Sequence, residues 1–240
     1  GGLESGKVFA ADLNYNFATK KLSGRASVYQ TNFYDQISRV TYFEDVQRTF
    51  VNHAMTGLDM VHRGAEIGLT YSINTSWAIN AMGTWAEFYY ANNPLGTMDA
   101  ENGLFNNLQE TVYLKNYYVG GVPQTAGVLG VQYFYNYWFF NAFVNGFDRT
   151  YIEIAPIRRL ESAVQGLNPT NPTDAQVYQN ITEQERFAGG YTVDLSISKI
   201  IYLKNRNSVN VQLMANNILN DRTIRTGGFE QGRIARNTSQ

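Results

Sequence analysis

The chain contains no cysteine and only two histidines, His53 and His62, among its 240 residues. The absence of cysteine excludes disulfide frameworks, thiolate metal sites and cysteine nucleophiles. Two histidines are too few for a multi-histidine metal site. The sequence therefore predicts no resident metal and no cofactor.

Charged residues are scarce as well, at 16% of the chain, whereas ordinary soluble domains contain about 25%. The formal net charge of −1 predicts no nucleic-acid partner, because such a partner requires a basic surface. Aromatic residues reach 14%, with 17 Tyr and 14 Phe, yet the mean hydropathy is −0.32. Strands that alternate apolar and neutral polar residues produce this composition.

Long apolar runs are also missing. No stretch reaches the roughly 18 apolar residues of a membrane helix, so insertion as a helix is excluded. The chain opens at Gly1 without a secretory signal, which predicts a mature or truncated chain. From Asn116 to Phe147 no residue is charged, but glycine, proline and asparagine interrupt the segment too often for a helix. Two strands that meet at Asn136 fit better, and such hairpins build transmembrane barrels.

A period of two residues identifies the strands. Between Gly64 and Asn74 the apolar side chains fall on one face and the small or polar ones on the other. A charge on the lipid face at the membrane midplane costs roughly 2 to 4 kcal/mol. Lys199 is the one charge on an apolar face, and it is close enough to a strand end to snorkel.

This pattern predicts an all-β fold, an antiparallel meander of about eight strands. Short turns at residues 18–21, 74–76, 136 and 204–207 alternate with long connections at 91–118 and 152–188 and a shorter one near Glu44 to Gln47. Short turns at one rim and long loops at the other are typical of outer-membrane barrels, with the long loops outside. Aromatic side chains near both rims predict two interfacial girdles. The predicted strands are 7–17, 22–42, 48–74, 77–91, 121–135, 137–151, 189–203 and 207–221.

Three segments resemble motifs of a known family. Gly121 to Val131 resembles a proline-containing strand that descends from a long outer loop, and Arg63 to Ile67 is similar to a "GxE" strand start. Residues 193–221 resemble a penultimate hairpin that ends in an Asn-rich tail. In this order, over most of the 240 residues, the segments resemble the C-terminal barrel half of the TonB-dependent outer-membrane receptors.

The resemblance implies a single unit, residues 1–240, that forms the C-terminal portion of a barrel of about 22 strands. It implies TonB-energised, plug-gated import of a siderophore, cobalamin, peptide or glycan across a Gram-negative outer membrane. The expected partners are TonB, through a plug domain absent from the chain, the solute, outer-membrane lipid and lipopolysaccharide, and a surface lipoprotein. Because the chain stops at a polar segment, 237–240, we expect the last family strand to be absent.

The ligand site is expected in the loop Ile152 to Ala188, although a plain solvated loop is an equal alternative. The sequence itself identifies no substrate-binding residue. A capping-box pattern at Thr173 to Gln176 predicts a short helix that extends to Arg186. Among its charged residues, the candidates for ligand contact are Glu153, Arg158, Arg159 and Glu161. Four arginines near the end of the chain could meet an anionic solute or lipopolysaccharide phosphates, although a solvated segment explains them better: Arg222, Arg225, Arg233 and Arg236.

No catalytic residue is predicted, and the chain is not expected to be an enzyme. His53 could combine with Asp59, Ser72 or Ser76 as a hydrolytic set, but no Gly-x-Ser-x-Gly pattern occurs. A solvated loop explains the Glu44 and Asp45 pair. Five acidic and amide side chains could offer oxygen ligands to Ca²⁺, but their spacing is not that of an EF-hand loop: Asn92, Asn93, Asp99, Glu101 and Asn102.

Two other classes remain open. A passive porin or a small eight-stranded outer-membrane barrel requires the first and last strands to pair and close. A soluble β-sandwich that binds a ligand requires two apolar faces to pack against each other.

Overall fold

The computed structural model describes residues 5–44, 48–168, 170–225 and 228–230. Most of the described chain is in β-strands, and its helices are short. In chain order the elements are β1 (Lys7–Ala18), β2 (Leu22–Glu44), β3 (Thr49–Ser72), β4 (Trp77–Tyr90), β5 (Leu95–Ala100), β6 (Leu108–Thr111), β7 (Pro123–Tyr135), β8 (Trp138–Tyr151), α1 (Glu161–Val164), α2 (Pro172–Thr182), β9 (Arg186–Phe187), β10 (Gly190–Tyr202) and β11 (Ser208–Ala215).

Eight long antiparallel strands form one sheet in the order β1-β2-β3-β4-β7-β8-β10-β11. The predicted all-β meander of eight strands is therefore confirmed. In the described part of the chain β1 pairs only with β2, and β11 only with β10, so these strands do not close a barrel among themselves. No helix within the described ranges is long and apolar enough to cross a membrane.

One face of the sheet is a continuous apolar belt. Strand pairing aligns Leu69 with Ala81, Ala81 with Leu129, and Leu129 with Val144. Leu129 is 54% exposed in the isolated chain, and a continuous exposed apolar surface marks a contact with a membrane or with another protein. The opposite face of these strands is mixed: it carries glycine and polar side chains such as Thr70 and Asn80 together with apolar ones such as Met82 and Val128. We call the two surfaces the apolar belt and the polar face.

Short turns join four pairs of long strands on one side of the sheet, which we call the turn side. Asn136 and Tyr137 both have positive φ, 45° and 64°, as a tight hairpin requires. In the turn between β3 and β4, the side chain of Asn74 accepts hydrogen bonds from the backbone N–H groups of Ser76 and Trp77. All four predicted short turns are present. The other end of the strands is the loop side.

Aromatic rings border the apolar belt on both sides. On the turn side, Trp77 packs on Tyr133 with centroids 4.5 Å apart, and Tyr133 stacks on Phe140 at 6.0 Å. On the loop side, Trp85 lies eight positions along β4 from Trp77, or about 26 Å at ~3.3 Å per residue. Barrel strands are tilted by roughly 35 to 45°, so this spacing spans about 18 to 21 Å of the membrane normal, which fits within an apolar band of about 25 Å.

Lys199 avoids the lipid in the predicted way. Its Nζ donates to the backbone oxygen of Asn136 at 2.6 Å and lies 5.0 Å from the ring centroid of Trp138. The ammonium thus reaches the turn side, while the carbon stem covers apolar surface.

β2 and β3 are 23 and 24 residues long, well beyond the roughly 9 to 11 residues of a membrane strand. Two bulges interrupt their pairing, with Asp35 at φ 56° in β2 and Gly57 at φ 69° in β3. Each strand has one extra residue, so the two bulges compensate. The pairing register is therefore restored beyond the bulges, but the alternation within β3 shifts by one residue: the buried side chains are Leu58 before the bulge and Met55, His53 and Val51 after it.

The structure corrects three boundaries. The loop predicted at 91–118 contains the β5–β6 hairpin, which pairs with β3. β11 ends at Ala215 rather than at residue 221, because Asn217 has a positive φ of 50° and bonds Asp221 through its side chain. The "GxE" segment Arg63 to Ile67 lies in the middle of β3, not at a strand start. Residues 45–47, which include Asp45, lie outside the described ranges.

Candidate functional site

The long connections fold into a compact unit on the loop side, built from residues 91–118 and 152–188 and packed on β3. We call this unit the cap. Its buried core joins Val51, Met55 and Leu58 of β3 to β5 and to residues of the second connection. The core side chains of β3 continue the polar face. The cap therefore covers the loop-side end of the polar face and leaves the belt exposed.

His53 lies in this core and is only 1% exposed. Neither ring nitrogen has a hydrogen-bond partner among the described residues. The space for the ring exists because position 96 is glycine: a Cβ there would lie 2.4 Å from Nε2. Burial lowers the pKa of His53, while the nearby carboxylate of Glu110 acts in the opposite direction.

The predicted charged loop residues have different environments. Glu153 and Glu161 are exposed, but Arg159 is only 2% exposed and donates to the backbone oxygens of Ile181 and Glu183 at 3.0 and 3.4 Å. Arg158 donates through Nε to the same oxygen of Ile181 at 3.0 Å. The carbonyl groups at the C-terminal end of α2 thus hold both guanidinium groups in place.

A short segment, Gly228 to Glu230, reaches the cap from beyond β11. The N–H of Glu153 donates to the oxygen of Gly228 at 3.0 Å, and the N–H of Glu230 donates to the oxygen of Glu153 at 2.8 Å. The Glu230 carboxylate contacts Arg159 at 3.0 Å and accepts from the N–H of Ala155 at 2.9 Å. No local pattern indicates this contact, since the ion pair joins residues 71 positions apart.

Beside this ion pair lies a cleft of about 300 Å³, which is enclosed by the loop-side halves of β2 and β3, by residues 153–157 and by the 229–230 segment. Its walls combine apolar and aromatic side chains with the charged side chains of Arg39, Glu153 and Glu230. Burial, with the carboxylates of Glu44 and Glu110, raises the pKa of Tyr42 to about 12. Burial and Glu153 also raise the pKa of Tyr90. Both tyrosines therefore line the cleft as neutral hydroxyls.

The helix in the second connection begins earlier than the capping-box pattern predicted. Asn171 is the N-cap, and its side chain accepts from the N–H of Thr173 at 2.9 Å, with Pro172 at the first helical position. The helix ends at Thr182 rather than at Arg186, which belongs to β9. An asparagine followed by proline is the stronger start signal, because proline fixes φ without losing a hydrogen bond.

The structure does not assemble the hypothetical hydrolytic set. His53 and Ser72 lie near opposite ends of β3, and Ser76 is in the turn that follows. Asp59 accepts a hydrogen bond from the N–H of Asp35 at the bulge.

The amide and acidic group considered for Ca²⁺ serves the loop backbone instead. The Asp99 carboxylate accepts from the N–H of Asn107, and the Asn93 side chain accepts from the N–H of Lys115. Asn92 bridges the N–H of Asp59 and the oxygen of Gly57. In the described ranges no three His, Cys, Asp or Glu residues form a metal-binding group.

The arginines near the end of the chain form no common site in the described ranges. Arg222 is exposed and donates to Asn220, and Arg225 is exposed. Arg233 and Arg236 lie outside the described residues.

A different charged group borders the loop side of the belt. Arg63 donates to Glu87 at 2.6 Å, and Arg186 to Asp148 at 2.7 Å. Arg149 lies 5.4 Å from the ring centroid of Trp85. Charges begin where the belt ends, so this row marks the loop-side boundary of the apolar band.

Comparison with known proteins supports the fold. No family model and no curated protein matches the chain. Among solved structures, the copper transporter OprC is similar, with a TM-score of 0.56 and 15% identity over 90% of this chain and 26% of OprC. The Pseudomonas putida toluene transporter TodX has a TM-score of 0.47 and 13% identity over 88% of this chain and 55% of TodX.

The class follows from the likeness to OprC together with the belt and the meander: the chain has the fold of an outer-membrane β-barrel segment. This fold is consistent with the predicted outer-membrane location. The chain spans about a quarter of the length of OprC. At 15% identity the likeness concerns the fold and assigns no solute.

Proposed function

We propose that this chain contributes eight strands to an outer-membrane transporter that imports a large or scarce solute in a TonB-energised, plug-gated manner. The solute classes consistent with this proposal are siderophores, cobalamin, peptides and glycans. The chain acts as a transport segment rather than as an enzyme. Its expected partners are the solute, TonB through a plug domain outside these residues, outer-membrane lipid and lipopolysaccharide, and a surface lipoprotein.

The observation that supports this proposal best is the open sheet with a cap on the polar face. A small closed barrel requires pairing between its first and last strands, whereas the described parts of β1 and β11 each pair on one side only. Further strands at these two edges would enlarge the barrel enough to leave a lumen. A soluble sandwich would bury the belt against a second sheet, yet the belt is exposed and the long strands form one sheet.

The cap gives the solute a place to bind. It lies on the loop side, which is the outer side in outer-membrane barrels, and its cleft of about 300 Å³ combines apolar walls with charges. Such a mixture fixes the orientation of a ligand while most of its surface is buried against apolar groups.

The test is fractionation of the protein that contains this chain, followed by uptake assays. We expect recovery in the outer membrane and a shift in gel mobility on boiling. Solute uptake should then stop when TonB is deleted or the proton gradient is collapsed. Recovery in the soluble fraction, without a mobility shift, would refute the membrane assignment.

A passive channel is the second candidate function, because an apolar belt and a polar face suit any outer-membrane pore. The uptake assay separates the two functions. Uptake that persists without TonB and is proportional to the solute gradient would identify a passive channel.

A further inference from the structure

We propose that Arg158, Arg159 and the backbone N–H of Ala155 form a binding site for the carboxylate of an amphipathic solute. In the structure the carboxylate of Glu230 occupies this site as an internal ligand. The solute would displace Glu230 and place its apolar body in the adjoining cleft. The inference deepens the proposed function, since it rests on that function for the identity of the ligand as the transported solute.

The site has the geometry of a carboxylate receptor. Arg159 donates through its two terminal nitrogens to Oε2 and Oε1 of Glu230, at 3.2 and 3.0 Å. The N–H of Ala155 donates to Oε2 at 2.9 Å, and Nε of Arg158 lies 3.8 Å from Oε1. A planar guanidinium that meets both oxygens selects a carboxylate by shape as well as by charge.

The receptor does not depend on Glu230 for its shape. Arg159 keeps its bonds to the backbone oxygens of Ile181 and Glu183 and its contact with Tyr117, whose ring centroid lies 4.6 Å from Cζ. Arg158 keeps its bonds to the backbone oxygens of Asn180 and Ile181. Both guanidinium groups are therefore positioned before a ligand arrives, which reduces the entropy lost on binding.

The balance of charge favours an anion. Two guanidinium groups face one carboxylate, so the site keeps a positive charge even when Glu230 is in place. Glu153 is the other acidic side chain at the cleft, and it is exposed to solvent. A buried arginine without a counter-ion is strongly destabilising. An incoming carboxylate would replace the Glu230 carboxylate one for one, so Arg159 would keep a counter-ion throughout the exchange.

Glu230 is held in a way that permits displacement. The segment from Gly228 to Glu230 is joined to residue 153 by two backbone hydrogen bonds. Its one large apolar side chain, Phe229, is 80% exposed and does not anchor it. The ion pair with the arginines is thus the main side-chain attachment of the segment.

The cleft specifies the rest of the ligand. The cleft begins at Ala155 and Glu230, and its walls are mostly apolar or aromatic, with Ser38, Arg39 and Glu153 as the other polar side chains. The apolar and aromatic lining includes Tyr42, Met55, Tyr90, Leu114, Ile154 and Ile157. At about 300 Å³ the cleft is at the small end of ligand sites. It suits the anionic end of a solute, namely a carboxylate attached to an aliphatic or aromatic group.

The experiment is calorimetric titration of the detergent-purified, full-length protein with 4-phenylbutyrate, with the neutral 4-phenylbutanol as the matched probe. Glu230→Gln removes the competing charge but keeps the side-chain shape. We expect 4-phenylbutyrate to bind this variant at least about ten-fold more tightly than the wild type, because the binding-competent state is no longer a minor population. Glu185→Gln makes the same charge change at an exposed position of the cap and should leave the affinity unchanged.

Two further variants test whether the gain in affinity for 4-phenylbutyrate comes from the freed arginines. Arg158→Gln, added to Glu230→Gln, should reverse the gain. Glu230→Asp keeps the charge but shortens the side chain, so it should give a smaller gain, and it replaces Glu230→Gln if that variant does not fold. Equal affinity in wild type and folded Glu230 variants, or an equal gain for 4-phenylbutanol, would overturn the proposal, as would the absence of binding. Because the titration needs neither TonB nor transport, its failure is distinguishable from failure of the uptake assay.

Discussion

Leu129→Arg tests whether the apolar belt faces lipid. Leu129 lies on the belt four positions from Tyr133, in the turn-side aromatic row, and four positions from Thr125, which pairs with Trp85 in the loop-side row. At ~3.3 Å per residue it is about 13 Å along the strand from either border, and therefore midway between the two aromatic rows. This is the depth at which an arginine is most costly.

The expected loss of stability is about 2 to 4 kcal/mol, equivalent to roughly a 30- to 700-fold change in the folding equilibrium. The control is Val128→Arg, one position along β7, at nearly the same depth but on the polar face. Its guanidinium would face the lumen, where water and polar groups can solvate it, so we expect a loss below about 1 kcal/mol.

The assay is denaturant titration of the protein folded into phospholipid vesicles, with tryptophan fluorescence as the signal. Heat-modifiable mobility confirms that each variant has folded. Equal losses for the two variants, or a larger loss for Val128→Arg, would refute the assignment of the two faces.

Three further predictions concern the cap. Gly96→Ala places a Cβ 2.4 Å from Nε2 of His53 and 2.8 Å from Val112. This overpacking should destabilise the cap by about 1 to 3 kcal/mol, which amide hydrogen exchange would detect as faster exchange in the cap. The control is Gly68→Ala, because the atom nearest to the new Cβ is 3.8 Å away. Burial lowers the pKa of His53, so as the pH falls the histidine is protonated in the unfolded chain before it is protonated in the folded cap. Cap stability should therefore be full above about pH 6.5 and fall as the pH drops towards the folded-state pKa. Thermal unfolding of His53→Phe should depend less on pH over this range. Asn171→Ala removes the N-cap of α2 and should cost about 1 kcal/mol, with faster amide exchange in α2 and no comparable change in Gln176→Ala.

The alternation of residue types was sufficient to predict the long strands, because a strand of period two that lies between lipid and water must place its apolar residues on one side. The turns could be predicted for a similar reason: Asn74 and Asn136 are residues that satisfy or tolerate tight-turn backbone locally. The end of β11 was missed, since the apolar Leu219 continued the alternation while Asn217 and Asp221 closed the backbone into a loop.

The cap was harder to predict because its structure depends on distant contacts. The sequence correctly located charged residues in the second connection, but it could not distinguish a solvated arginine from the buried Arg159. That difference depends on the carbonyl groups at the end of α2 and on Glu230, which approaches from beyond β11. Local patterns contain no information on which distant acceptor a guanidinium will meet.

The sequence by itself determined the main elements of this protein: which segments are the long strands, which of their faces is apolar, and which ends carry turns or loops. These properties follow from short-range periodicity and from the solvent that each side chain tolerates. Tertiary structure alone decided the compensating bulges, the burial of His53 and the pairing of Glu230 with Arg159, because each requires groups far apart in the chain to meet in space.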